Sequence, residues 1–102
     1  MWISGTITDR AVYVNGRQLN PKASQKVINH SPDGFSWGYG GSGPAQLALA
    51  LLLRAGLSHD LAIRLHQPFK WEVIAKLDQN RDFELSMDVI AWARIRNDTV
   101  RP

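Results

Sequence analysis

The chain has 102 residues, 44% hydrophobic and 21% charged, with a formal net charge of +3. This length is enough for one hydrophobic core, so a single domain over residues 1–102 is predicted. The absence of cysteine excludes disulfides, thiolate metal sites and cysteine nucleophiles.

Charge and hydropathy along the chain indicate its surroundings. The N-terminus lacks the charged and apolar regions of a signal peptide, and the longest apolar run, 47–53, is too short to cross a membrane. We therefore expect a cytoplasmic protein with no membrane partner. Residues 1–56 hold five basic and two acidic residues, whereas residues 57–102 hold seven of each. Such dispersed positive charge is typical of a solvated surface, and nucleic-acid-binding proteins usually carry a denser basic stripe.

The first third of the chain has the pattern of strands and turns. Trp2–Thr8 alternates in polarity, which predicts a half-buried strand. Ala11–Val14 and Arg17–Leu19 are predicted to pair as a hairpin, because Asn15-Gly16 between them suits a type I′ turn. Ser24–His30 is predicted to be a further strand.

The glycine-rich stretch Asn29–Gln46 is the centre of the sequence. Pro and Gly in Ser31–Gly34 match a type I turn, and we expect this turn to connect a second hairpin. Phe35–Tyr39 is predicted to be the return strand, with its aromatic residues on one face and a nearly bare opposite face. These rings are typical of a core face of a sheet, and the alternative is a platform on which bases stack.

A helix is predicted to follow directly. Pro44 suits the first helical position, which makes Gly43 the expected N-cap and Gln46 the third helical residue, able to reach back to the cap. Residues 45–53 carry no charge, so this helix should be buried on all sides. Arg54 and Gly56 have the character of a helix end.

The second half of the chain is predicted to be helical. Ser58 is the expected N-cap of a helix that kinks or restarts near Gln67, because Pro68 removes a helical hydrogen bond. Asp78–Asp82 has the composition of a loop. Ser86 is the expected cap of a last helix, Met87–Arg96, whose end is marked by three cations: Arg94, Arg96 and Arg101. These elements predict an α+β fold, with a small antiparallel sheet in the N-terminal half packed on a buried central helix.

The turn before the central helix has the shape of an anion-binding site. The amides of Gly40, Gly41, Ser42 and Gly43 would converge with the positive end of the helix dipole on a phosphate or carboxylate. However, the spacing matches neither a P-loop nor a dinucleotide-binding fingerprint. The alternative is architectural: the glycines let the chain turn sharply and press the helix against the sheet.

Catalytic and metal chemistry have less support in the sequence. His30, Asp33 and Ser42 include the residue types of a nucleophile, a base and an orienting acid, but such a triad is recognised by geometry. The three histidines, His30, His59 and His66, have no ligand spacing, so neither a metal site nor a cofactor is predicted.

One long block resembles a known family. Residues 29–50, NHSPDGFSWGYGGSGPAQLALA, are similar to the signature of a small family of uncharacterised bacterial, phage and mobile-element proteins, catalogued as a domain of unknown function. The similarity continues through Phe69-Lys70 and residues 82–92. The resemblance implies a mobile-element context and, by association, an anti-defence or partner-binding role, but no activity, cofactor or catalytic residue.

Three hypotheses of function follow from the sequence. The first is a non-enzymatic binding domain for an anionic ligand, a nucleotide or nucleic acid. The second is a protein-interaction module, such as a homodimer, that uses an apolar surface near Trp71 or Trp92. The third is a hydrolase or nuclease, which needs His30 and an acid in one cleft. The residues predicted to shape the site of the first hypothesis are His30, Asp33, Trp37, Tyr39, Gly40, Gly41, Ser42, Gly43 and Gln46.

Overall fold

The structure is a computed structural model that describes the backbone of residues 1–100 and the side chains as far as Asp98; Arg101 lies outside it. Four strands form one antiparallel sheet in the order β3-β2-β1-β4. The α+β prediction is confirmed. The strands are β1 (Trp2–Gly5), β2 (Val12–Val14), β3 (Arg17–Gln18) and β4 (Phe83–Ser86), and the helices are α1 (Lys22–Val27), α2 (Ser42–Arg54), α3 (His59–Glu72), a short 3₁₀ helix (Ile74–Lys76) and α4 (Val89–Val100).

The N-terminal hairpin forms as its turn chemistry predicts. Asn15 and Gly16 have φ angles of +50° and +82°, and Ile3 pairs with Val14 across β1 and β2. Strand β1 ends at Gly5, three residues earlier than predicted. A side chain at Gly5 would overlap the Phe83 ring on the neighbouring strand β4, so glycine is needed where the two strands meet.

The predicted strand Ser24–His30 is wrong, because its first part is the helix α1. The Asn20 side chain accepts a hydrogen bond from the Lys22 amide at 2.9 Å, and the Ser24 hydroxyl donates to the Pro21 carbonyl at 2.7 Å. Pro21 precedes the helix with a φ of −69°, a value that suits a helix start. The proline thus begins a helix rather than only ending a strand.

The predicted return strand Phe35–Tyr39 is also absent. The Ser31–Gly34 turn forms, with the Gly34 amide donating to the Ser31 carbonyl at 3.3 Å, but the chain beyond it joins no strand. Its backbone is tied instead to the 3₁₀ helix, where the Gly38 amide donates to the Ile74 carbonyl at 3.0 Å. Gly38 has a φ of +86°, which interrupts an extended strand.

Helix α2 is the centre of the core, as predicted. Residues 43–52 are all buried, and α2 packs against α1 and α3. The helix ends with Gly56 at a φ of +101°, where the Gly56 amide donates to Leu53 and the Leu57 amide to Leu52. This pair of bonds is a Schellman motif. Its start differs from the prediction, because the N-cap is Gly41 and not Gly43.

Helix α3 runs without interruption through Pro68, so the fresh start predicted near Gln67 is wrong. The Ser58 cap is confirmed, since its hydroxyl accepts from the Leu61 amide at 3.2 Å. One missing hydrogen bond is tolerated because Leu65 and Phe69, on either side of Pro68, are fully buried in the core.

Strand β4 was not predicted, and it changes the start of the last helix. Ser86, the predicted cap, ends β4 and pairs with Trp2 of β1. Asp88 caps α4 instead, through an Oδ1 that accepts from the Ala91 amide at 2.9 Å, and the helix begins at Val89. Among the helices of the described residues, none combines the length and apolar character needed to cross a bilayer.

Candidate functional site

Gln46 forms the polar centre that holds the glycine-rich stretch in place. Its side chain is fully buried; Oε1 accepts from the His30 amide at 2.8 Å and from the Ser31 amide at 3.0 Å. Its Nε2 donates to the Ser24 hydroxyl at 2.9 Å and to the Ile28 carbonyl at 3.1 Å. An amide side chain has two donors and two acceptor lone pairs, so its capacity is used in full. Gln46 therefore links α2 by hydrogen bonds to α1 and to the loop that follows α1.

Lys70 is a second buried polar group at the same end of α2, and its surroundings are different. The side chain is 6% exposed, and its ammonium donates to the Gly40 carbonyl at 2.9 Å. The charge also lies 4.4 Å from the centre of the Trp71 ring. Within residues 1–98, the only ion pairs are Arg81–Asp78 and Arg96–Glu72, so no carboxylate neutralises Lys70.

The N-terminus of α2 lies beside this ammonium. Gly41, the N-cap, directly follows Gly40, whose carbonyl accepts the hydrogen bond from Lys70. No side chain forms a capping hydrogen bond at this helix start. The first amides of a helix have no intrahelical acceptor; of these, the amide of Ser42 belongs to an exposed residue, Gly43 is buried against Ser36, and Pro44 has no N–H. The helix dipole adds partial positive charge at this end. Two sources of positive potential therefore meet here.

Two exposed aromatic rings flank the turn. Trp71 is 58% exposed and Tyr39 is 40% exposed. A side chain at Gly40 would overlap the Trp71 ring, and one at Gly41 would overlap the Tyr39 ring. Glycine at these two positions allows the close approach of the aromatic rings. We call the group Tyr39–Ser42, Lys70 and Trp71 the Lys70 site.

Only part of the predicted site residues lie together. Tyr39, Gly40, Gly41 and Ser42 lie together in the Lys70 site, and Gly43 is the next residue of α2. Trp37 is fully buried, with its indole Nε1 donating to the Arg81 carbonyl at 3.1 Å, so it offers no surface to a ligand. Asp33 is exposed and lines a cavity of about 520 Å³ with Pro21, Lys22 and Gln25.

Two members of the site were not predicted as ligand-binding residues: Lys70, and Trp71, which was predicted only as part of an interaction surface. The signal available was the position of Lys70 beside Phe69 on a largely buried helix, four residues after His66. Residues four apart share a helix face, so a buried Phe69 and His66 bring Lys70 toward the core. The buried face of α3 that carries His66 and Lys70 is recognisable only when the packing of α3 on α2 is known.

His30 meets another histidine, not an acid. Its Nε2 lies 2.9 Å from Nε2 of His66, and the ring centres are 5.1 Å apart. His66 Nδ1 donates to the Ile63 carbonyl at 2.6 Å, so in this pair His30 Nε2–H donates and His66 Nε2 accepts. Burial lowers the pKa of His66 from its ordinary value of 6.5, which favours the neutral ring. The described side chains of His30, Asp33 and Ser42 form no hydrogen bond with one another.

The fold and the site together describe a small α+β protein with a positively charged, aromatic-flanked turn at the start of a buried helix. Residues 4–95 match a family of unknown function, DUF6166, and the chain belongs to that family. The predicted membership in a domain family of unknown function is thereby confirmed. Neither a curated protein nor a solved structure matches the chain.

Proposed function

We propose that this protein is a binding module that takes up a phosphate-bearing ligand of the nucleotide class at the Lys70 site. The observation that carries the proposal is the buried Lys70 ammonium, which has one carbonyl acceptor and, among residues 1–98, no carboxylate partner. A lysine ammonium has three donors, so two remain for a ligand.

Electrostatics favour an anion at this position. A buried charge without a counter-charge is unfavourable, and a cation beside the positive end of a helix dipole adds repulsion. A bound phosphate would neutralise both and would accept from the amide of Ser42, an exposed residue, as phosphates do at other helix N-termini. Residues 1–56, which include this turn, carry more basic than acidic residues, and this excess of positive charge also favours an anionic ligand.

The aromatic rings support a ligand with a flat group next to its phosphate. Tyr39 and Trp71 present exposed ring surface next to Gly41 and Gly40 of the turn. Bases stack on such rings with little regard to sequence. A nucleotide combines the anion that Lys70 lacks with a base that can cover one of these rings, and this combination is what we expect the site to select.

The experiment is a titration of the full chain at low salt, followed by heteronuclear NMR or calorimetry, with inorganic phosphate, mononucleotides and short single-stranded oligonucleotides as separate probes. Lys70→Met keeps the length of the buried side chain and removes its charge. Lys76→Met, which changes an exposed lysine at the end of the 3₁₀ helix, is the matched control. We expect binding of a nucleotide probe to weaken at least tenfold, ~1.4 kcal/mol, in Lys70→Met and to stay unchanged in Lys76→Met.

Failure of all three probes to bind would falsify the proposal, and so would equal affinities in the two variants. If phosphate bound with the same affinity as the nucleotides, the anion site would be supported, but the proposed contact between a base and the aromatic rings would be excluded. Preference for oligonucleotides over mononucleotides would identify a nucleic-acid partner.

A protein-interaction role is the second candidate, and the exposure of Trp71 favours it. A tryptophan exposed to 58% beside Tyr39 is an apolar surface of the kind that partners cover. Light scattering tests the homodimer form of this role: a dimer in the wild type that becomes a monomer in Trp71→Ser would support it. A cytoplasmic location and a mobile-element or anti-defence context remain predictions within either role.

A further inference from the structure

The histidine pair is connected to the Lys70 site through helix α3. His66 and Lys70 are four residues apart, so they share a face of the helix, and both side chains are buried. His30, in the loop after α1, meets His66 with the two Nε2 atoms 2.9 Å apart. We propose that binding of an anion at the Lys70 site is linked to the uptake of one proton by the His30–His66 pair. This linkage rests on the proposed function and makes the affinity for the ligand depend on pH.

The pair can take up one proton without losing its hydrogen bond. In the neutral pair, His66 donates its Nδ1–H to the Ile63 carbonyl and accepts from Nε2–H of His30. Nδ1 of His30 is then unprotonated, and because this ring is only partly buried, solvent can deliver a proton to it. The product is an imidazolium that donates to a neutral ring, which is a charge-assisted hydrogen bond. A second proton, on Nε2 of His66, would place two N–H groups against each other and break the bond.

The charges near the pair disfavour this proton in the ligand-free protein. Burial is the main cause that lowers the pKa of His66, and the charges of His30 and Lys70 lower it further. Among residues 1–98, no acidic side chain pairs with either histidine or with Lys70. The proton therefore enters a buried group of positive charge that nothing in this part of the protein offsets.

The elements that pack against α3 bring no other charge to the pair. Helix α2 carries one charged residue, Arg54, at the end away from the Lys70 site. On α4, Arg96 pairs with Glu72 at 3.2 Å. The other charged residues of the surrounding elements are exposed: Asp33, Asp60, Arg64, Lys76, Arg94 and Asp98. Lys70 is thus the fixed charge that acts on the pair.

A bound anion changes this balance. A phosphate on the Lys70 ammonium places negative charge about one helical turn from His66 and offsets the repulsion between the two cations. The pair then takes up its proton more readily, and by thermodynamic reciprocity the protonated protein binds the anion more tightly. We therefore expect the affinity for the ligand to rise as the pH falls from about 8 to about 5.5.

The first measurement tests the electrostatic link without a ligand. NMR spectra of the full chain follow proton uptake through the ring signals of the histidines. We expect the midpoint of proton uptake at His66 to move to higher pH in Lys70→Met, because a repelling charge is removed. It should stay constant in Lys76→Met, which removes an exposed lysine. An unchanged midpoint in Lys70→Met would overturn the proposal.

The second measurement uses the wild type alone and a mononucleotide as the probe. We expect a saturating concentration of the nucleotide to raise the midpoint at His66 by at least about half a pH unit, which corresponds to about threefold tighter binding to the protonated protein. The exposed His59 is the internal control, and its midpoint should stay constant.

The outcomes separate this linkage from the proposed function. If the nucleotide binds but leaves the midpoint at His66 unchanged, or moves that of His59 equally, the linkage is overturned and the binding site stands. If the nucleotide does not bind at either pH, the proposed function and the linkage are both overturned.

Discussion

The two buried polar residues at the start of α2 differ in how completely the protein satisfies them. Gln46 has a protein partner for each of its four hydrogen-bonding positions, whereas Lys70 has a single carbonyl and no counter-charge. A fully satisfied buried group stabilises and specifies the fold, and an unsatisfied one is unfavourable until a ligand completes it. The difference therefore indicates that Gln46 has a structural role, whereas Lys70 belongs to the candidate binding site.

The largest effect is expected from Gln46→Leu. The change removes four hydrogen bonds and leaves the partly buried amides of His30 and Ser31 without an acceptor. Each unsatisfied buried group costs about 1–3 kcal/mol, so we expect the free energy of unfolding to fall by about 3 kcal/mol or more. Urea denaturation measures this free energy, and Gln18→Leu in the exposed strand β3 is the control. A loss below ~1 kcal/mol would show that water can replace these bonds.

A smaller effect is expected from Gly40→Ala. The added methyl group would overlap the Trp71 ring, and this ring is exposed and can move aside. We expect a loss of about 1 kcal/mol in the free energy of unfolding together with a red shift of the tryptophan fluorescence. Gly16→Ala is a useful comparison, because an added methyl group meets no atom there and the φ of +82° alone is responsible for any strain. Unchanged fluorescence in Gly40→Ala would contradict the close packing of Trp71 on the turn.

Lys70→Met should change stability in the opposite direction from Gln46→Leu. Removal of an uncompensated buried cation ends a desolvation penalty, so we expect the free energy of unfolding of the ligand-free protein to stay constant or rise by up to ~1 kcal/mol. Denaturation at low salt, without nucleotide, is the measurement. A loss of 2 kcal/mol or more would assign Lys70 to the architecture along with Gln46 and remove the contrast between them.

The smallest effect is expected from pH, through the buried ring of His66. Burial lowers its pKa below 6.5 in the folded state, so the unfolded chain binds the proton more readily. The associated stability is complete above about pH 6.5 and is lost as the pH falls from there through the lower folded value. We expect the free energy of unfolding to decrease on acidification, and to decrease less in His66→Gln. Equal pH profiles for the two proteins would exclude His66 as the cause.

Sequence reasoning identified elements whose cause is local. The Asn15-Gly16 turn, the Ser58 cap, the Gly56 helix end and the uncharged run of α2 each rest on residues within a few positions of one another. The same reasoning placed Tyr39–Ser42 in the candidate site, because a glycine turn before a helix exposes amides; that a ligand binds there is a prediction. Such features depend on φ preferences and helix ends, which neighbouring residues set.

The predictions from the sequence were wrong where contacts between distant parts of the chain determine the secondary structure. Strand β4 forms because Phe83–Ser86 pairs with β1, more than 75 residues away in the chain. Phe35–Tyr39 alternates like a strand but finds no strand to pair with, and its aromatic spacing instead puts Trp37 in the core. Ser24–Val27 became a helix because Asn20 and Pro21 begin one and Gln46 fixes its end.

The sequence by itself determined the α+β class, the buried central helix and the glycine turn at its start, because periodicity and turn chemistry are local properties. Only the tertiary structure decided which polar groups are buried together there. The packing of α3 on α2 brings Lys70 to Gly40 and His66 to His30 across sequence separations of 30 and 36 residues. Long-range packing sets burial and charge balance, and for that reason the sequence could indicate the turn but not the lysine and the histidine pair beside it.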